Sequence, residues 1–336
     1  MKKKNFKFIF ILFLILFIFF TSCITSESSK KKNEDTNDPF TIFKNSLITS
    51  ESSSYYLFKN KANFVVFEKK IDIKFMYEFI KDYKKYINQY VNINKISCKK
   101  IEDQPLKILC YESIDLPFNN QDAIFKLVFD LNSMRLNDIN ITFRLQKWGG
   151  MFYQPDLIVM NFNKKNYDDF SNECKLSVLL HEYFHYLFNQ RFGDISLSEL
   201  LENPENEYIS YYINFLNEMF SYFNGDCFLY FMKNEDSLKL TEDKVNMAIR
   251  KYIENVALAR SSKDPVALAK RYHNADGYAI FYFYDFVKFL INYKDFDTFV
   301  ELIKNIYSGD SNNIDKIFET LYELNLQKLF ELWKLN

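Results

Sequence analysis

Histidine is scarce in this chain, with three residues in 336. Two of them stand one helical turn apart, in His181-Glu182-Tyr183-Phe184-His185. On a helix both imidazoles lie on the same face and reach one ion, and Glu182 sits beside them, able to take a proton from water. The surrounding pattern predicts that helix over about 172–192, with Ser171 or Asp169 as cap and Gly193 as stop. The other reading, a helix that happens to carry two histidines, leaves Glu182 without a purpose.

A hydrolytic zinc site takes three protein ligands and keeps one position open for water. His273 is far along the chain, and the glycine and third histidine that would extend the motif in metzincins are missing. A carboxylate is therefore the expected third ligand, and Glu218 is the candidate. It stands in Phe215-Leu-Asn-Glu218-Met-Phe-Ser-Tyr-Phe223, with Tyr211, Asn214, Phe215, Ser221 and Tyr222 at helical spacing and no Lys or Arg among them. A carboxylate buried there without a partner would cost several kcal/mol or become neutral, and a metal ion removes that difficulty. The alternative is a solvated glutamate on an irregular helix. Glu199, Glu202, Glu205 and Glu207 lie in a polar stretch where solvation accounts for them. The helix carrying Glu218 is expected to start at Asn203 as N-cap with Pro204 at its first position, and to end before Gly225.

The rest of the body is strand-rich first and helix-rich later, an α+β arrangement. Strands are expected at 63–68, 123–130, 139–145 and 156–162. Phe75, Phe79, Tyr83 and Ile87 mark an amphipathic helix over 71–91. Beyond residue 163, further helices are expected near 242–258, 277–292, 295–306, 312–322 and 325–334. A hydrophobic fraction of 48% suffices for a sizeable core. The net charge of -1 provides no general basic field to hold nucleic acid. With 37 Phe and 24 Tyr spread along the chain, aromatic clusters by themselves do not argue for a ligand site.

Residues 1–22 read as a signal peptide: Lys2, Lys3 and Lys4, then an apolar run from Phe8 to Phe20, shorter than the roughly 20 residues a membrane-spanning helix needs. Thr21-Ser22-Cys23 resembles the processing site of bacterial lipoproteins, which implies lipidation of Cys23. An uncleaved N-terminal anchor is the alternative, and both place the body outside the cytoplasm. Residues 23–54 are polar and expected to form a disordered tether. Cys98 and Cys110 flank a turn around Asp103-Gln-Pro105, so a local disulfide and buried free thiols are both open for them, as for Cys174 and Cys227.

Taken together, the motifs resemble the gluzincin metallopeptidases, in which His-Glu-x-x-His is followed by a glutamate on a second helix. Leu216-Asn-Glu218-Met-Phe-Ser-Tyr222 is similar to the Asn-Glu-x-x-(Ala/Ser) helix of aminopeptidase-like members. Gly149-Gly150-Met151-Phe152-Tyr153 is similar to their Gly-(Ala/Gly)-Met-Glu-Asn segment at the substrate cleft. The resemblance covers about residues 149–336, with 55–148 as a separate N-terminal α+β region. It implies a thermolysin-like zincin fold, with a small mixed sheet before the metal helix. It also implies one zinc ion held by His181, His185 and Glu218, and substrate contacts at Gly149, Gly150 and Met151. Tyr272 and His273, with Tyr278 behind them, are the implied oxyanion-stabilising candidates.

Two departures shape the expectation. The spacer from His185 to Glu218 is longer than in aminopeptidases, which keeps Glu205 in play as the third ligand. Phe152 stands where those enzymes carry the glutamate that anchors a free amine. An endopeptidase acting on peptides or proteins is therefore expected over an aminopeptidase, with a strand near Asp156 to Met160 as the edge that holds substrate. The competing expectation is an inactive peptidase-fold lipoprotein that serves as a binding module at the cell envelope.

Overall fold

The protein is described by a computed structural model over residues 38–49, 55–60, 63–96, 106–111, 122–130, 135–144, 149–162, 172–201, 209–231, 238–254 and 279–336. The chain divides between Ile42 and Phe43, within a short helix, and apart from the first half of that helix the architecture below is that of the second unit, Phe43–Asn336.

A short helix, α1 (Pro39–Ser46), lies in the stretch expected to be an unstructured tether. Asp38 accepts the Thr41 amide at 2.9 Å and so caps it, and Phe43 is buried against Phe58 and Tyr77. Strands β1 (Tyr55–Asn60) and β2 (Asn63–Glu68) form a hairpin, followed by helix α2 (Ile73–Ile93). Next come β3 (Lys107–Tyr111), β4 (Asp122–Asp130), β5 (Arg135–Arg144), β6 (Gly150–Tyr153) and β7 (Leu157–Asn161). β4 and β5 pair with each other, and the remaining strands make one mixed sheet in the order β1-β2-β3-β7-β6. Parallel pairing of β2, β3 and β7 occupies its centre, with antiparallel neighbours at both ends. This sheet crosses the 148/149 boundary drawn from the sequence, because strands from both sides of it pair directly.

Parallel pairing explains the composition of β7, whose Ile158, Val159, Met160 and Asn161 are all buried. β7 is therefore an interior strand, and the expectation that Asp156 to Met160 forms the sheet edge is corrected. Among the described residues the edge on that side is β6. Helix α2 is capped by Asp72, which accepts the Phe75 amide, and it buries Met76, Phe79, Ile80, Tyr83, Ile87 and Tyr90 at helical spacing. Phe79 meets Phe67 of β2 and Phe162 just after β7 edge-on, at 6.3 and 5.2 Å between ring centroids. Cys110, central in β3, is a buried free thiol, so the local Cys98–Cys110 bridge does not form. Cys227 is likewise buried and free. The side chains of Cys98 and Cys174, and Cys23 itself, lie outside the described residues.

Among the described residues, the elements after the sheet are all helices: α3 (Asn172–Phe192), the single turn α4 (Leu197–Leu200), α5 (Ile209–Phe231), α6 (Glu242–Glu254), α7 (Ala279–Tyr293), α8 (Phe296–Ser308), α9 (Ile314–Tyr322) and α10 (Leu326–Leu335). Helix α3 packs along α5 and under β6 and β7. Rings of Phe215, Phe283, Phe286, Phe330 and Trp333 lock α5, α7 and α10 together, and Trp333 Nε1 donates to Asp285 at 3.0 Å. Buried polar groups tie the sheet side to the helical side: Tyr90 donates to Asn224 Oδ1 at 2.6 Å. Gly225, expected to end its helix, lies inside α5 instead.

Candidate metal centre

Helix α3 places His181 and His185 on one face, as their spacing requires, and α5 lays Glu218 across them. His181 Nε2 and His185 Nε2 are 3.0 Å apart, and Glu218 Oε2 lies 3.8 and 3.2 Å from them. These donor atoms all fall within 4.8 Å of one another, the one such His/Cys/Asp/Glu group among the described residues. Glu182 Oε1 approaches to 3.9 Å from His181 Nε2. All four side chains are buried or nearly so.

Both imidazoles are oriented from behind by α5. Asn217 Oδ1 lies 3.0 Å from His185 Nδ1, and an amide oxygen can only accept, so Nδ1 carries a proton and Nε2 is the nitrogen turned toward His181 and Glu218. The backbone of Ser221 hydrogen-bonds the His181 ring in the same manner. Tyr222 packs its ring 4.3 Å from that of His181 and stacks in turn on Phe283. Two imidazole nitrogens and one carboxylate oxygen, converging from two helices with their rings held from outside, fit a zinc ion.

The helices approach so closely because of one glycine. A Cβ on Gly225 would stand 3.1 Å from both His181 Cβ and the Ser177 carbonyl oxygen. Ser177 Oγ instead donates to the Gly225 carbonyl at 2.8 Å. Gly150 does the same on the sheet side: its Cβ would meet Val178 Cγ1 at 2.7 Å and Glu182 Cγ at 3.1 Å. Each glycine is required by close approach of neighbouring elements, not by its backbone angles, since no described glycine has a positive φ.

Electrostatics separates the four groups. Burial, together with the nearby charge of His185, pulls His181 down to about 3. Burial lowers His185 too, but the adjacent Glu218 and Glu182 outweigh it and hold His185 up at about 9. Glu182 is pushed up to about 7, mainly by burial and also by Glu218, while His185 and the Phe152 amide oppose the rise. Burial and the charge of Glu182 also raise the Tyr153 hydroxyl.

The structure thus brings together His181, Glu182, His185 and Glu218, with Gly150 and Met151 on the neighbouring edge strand and Gly149 just before it. Tyr272, His273, Tyr278 and Glu205 lie outside the described residues. Asn217 and the Phe152 amide were not assigned roles from the sequence, and Gly225 was read only as the end of its helix. Asn217 stands next to Glu218, but only the packing of α5 on α3 reveals that it meets His185. No protein-family model matches the chain, and no curated protein matches it in sequence.

Proposed function

We propose that this chain is a zinc-dependent peptidase of the gluzincin type, held outside the cytoplasm by a lipid on Cys23 and acting as an endopeptidase. The observation that carries the reading is the convergence of His181, His185 and Glu218 with Glu182 alongside. A mixed sheet leading into the metal helix, followed by a helical C-terminal part, supports a thermolysin-like arrangement.

When bound, zinc supplies Lewis acidity toward a carbonyl oxygen and makes water more acidic. His181 and His185 hold it through Nε2, and Glu218 contributes a negative charge. Glu182 takes a proton from the attacking water at its carboxylate as the new C–O bond forms, then delivers that proton to the amine nitrogen as the C–N bond breaks. The exposed side of β6 offers backbone groups to an extended peptide, the β-addition mode. At Phe152 no carboxylate is present to bind a free amine, which favours internal bonds over chain ends.

Glu182→Gln tests the chemistry. The variant retains the metal, and hydrolysis of a peptide library falls by about 10²- to 10⁴-fold. Full activity in that variant sinks the proton-transfer role. A wild-type chain that binds zinc and cleaves nothing leaves the binding-module reading in its place. Anchoring is tested separately by fatty-acid labelling, which marks the wild-type chain and spares Cys23→Ser. Among the described residues no helix is long and apolar enough to cross a membrane.

A further inference from the structure

Among the described residues strand β6 is the edge of the sheet, so half of its backbone groups have no strand partner there. The register shows which half. Asn161 donates to the Gly149 carbonyl at 2.9 Å, and β6 runs antiparallel to β7 with Met151 opposite Val159 and Tyr153 opposite Leu157. Hydrogen-bonded pairs alternate along such a ladder, so Gly149, Met151 and Tyr153 face β7. Gly150 and Phe152 turn their N–H and C=O groups outward, to the open edge.

These same residues lie against α3. Gly150 lacks a Cβ where one would touch Glu182 Cγ, and the Phe152 ring packs edge-on against Tyr186, 6.0 Å away. Glu182 reaches the outward amide of Phe152 and accepts a hydrogen bond from it. One of the two free amides on the edge is thereby taken by the carboxylate that the proposed reaction needs.

We propose that the Phe152 backbone amide is a positioning group for Glu182, and that an extended substrate read on this edge finds its N–H donor at Gly150, the Phe152 N–H being withheld from it. The inference rests on the peptidase reading above. The amide fixes the carboxylate beside the donor cluster and keeps it from swinging onto His185. Substrate main chain then pairs with the Gly150 N–H and C=O, two residues along, and the Phe152 side chain never enters the chemistry. Close approach of Gly150 to Glu182 is what brings the amide within reach.

Two measurements on the full chain test this. In residue-resolved hydrogen exchange, the Phe152 amide is protected in the wild type although it faces away from the sheet, and Glu182→Ala loses that protection while Met151 keeps its own. An unprotected Phe152 amide in the wild type overturns the proposal. The second measurement compares Phe152→Pro with Phe152→Ala. Both remove the ring, and only proline removes the amide, at an edge position where the ladder bonds belong to Met151 and Tyr153. With zinc bound in both, the proline variant shows kcat lower than the alanine variant on the order of 100-fold with KM unchanged. A raised KM with unchanged kcat shows that the amide serves the substrate, and equal kinetics show that it serves neither. Either result overturns the proposal. If the wild type hydrolyses no peptide, the peptidase reading has failed, and the exchange data still decide whether the Glu182–Phe152 bond exists.

Discussion

Glu218 Oε2 lies 3.2 Å from His185 Nε2, across the seam between two helices. The pair turns a carboxylate oxygen and an imidazole nitrogen toward one point in space, an arrangement that can hold a metal ion once the imidazole gives up its proton. Glu218→Ala therefore takes zinc content from about one ion per chain to none, read by elemental analysis of the purified protein. Unchanged zinc in that variant would move the third-ligand role to another residue, with Glu205 first in line.

Asn217 holds His185 through Nδ1, the ring nitrogen that does not face His181 and Glu218. Removing it in Asn217→Ala frees the ring to rotate and lowers zinc affinity by about 10- to 100-fold. Competition against a chromogenic chelator reads the change. Asn217→Asp restores an acceptor and recovers most of the affinity; a variant pair with wild-type affinity throughout shows that the 3.0 Å contact has no hold on the ring.

Gly225→Ala sets two effects against each other. Helix propensity alone favours alanine by about 1 kcal/mol. Against that, the new methyl lands 3.1 Å from the Ser177 carbonyl oxygen and from His181 Cβ, atoms that move only if the helices part. Overpacking of this kind costs about 1–3 kcal/mol. The variant is therefore less stable than wild type in urea unfolding, and zinc binding weakens as His181 shifts. A stabilised variant would mean that α3 and α5 separate freely.

On the proposed reading, zinc binding is coupled to folding. At a free concentration of about 100 times Kd, a ligand that binds only the folded chain adds about 2.7 kcal/mol. Thermal unfolding thus moves to higher temperature with zinc and returns when a chelator strips it. His185→Ala unfolds at the same temperature with and without the metal. An equal zinc response in that variant points to binding elsewhere on the chain.

Much of this architecture is legible locally. Helix α3 spans Asn172–Phe192, as its caps and apolar spacing predict, because helix formation depends on residues three and four apart. Glu218 was recognisable because a carboxylate among aromatic neighbours, with no basic residue at helical spacing, is costly unless something compensates it. Strands β1, β3 and β6 escaped notice for the opposite reason. A segment such as Lys-Ile-Leu-Cys-Tyr in β3 becomes a strand through its partners β2 and β7, which are distant in sequence.

Gly225 illustrates the same limit. A glycine near the end of an apolar helical run reads as a stop, and nothing nearby in the chain says that another helix must cross there. The sequence by itself determined that two histidines share a helical face with Glu182 beside them, and that a buried glutamate would follow on a second helix. Only the tertiary structure decided that β6 and not β7 forms the open edge, and that Gly150 and Gly225 let the sheet and α5 close on α3. It also decided that Asn217 and the Phe152 amide aim His185 and Glu182. The reason is physical: helical periodicity is written in neighbouring residues, whereas strand order and close approach depend on segments that meet only once the chain has folded.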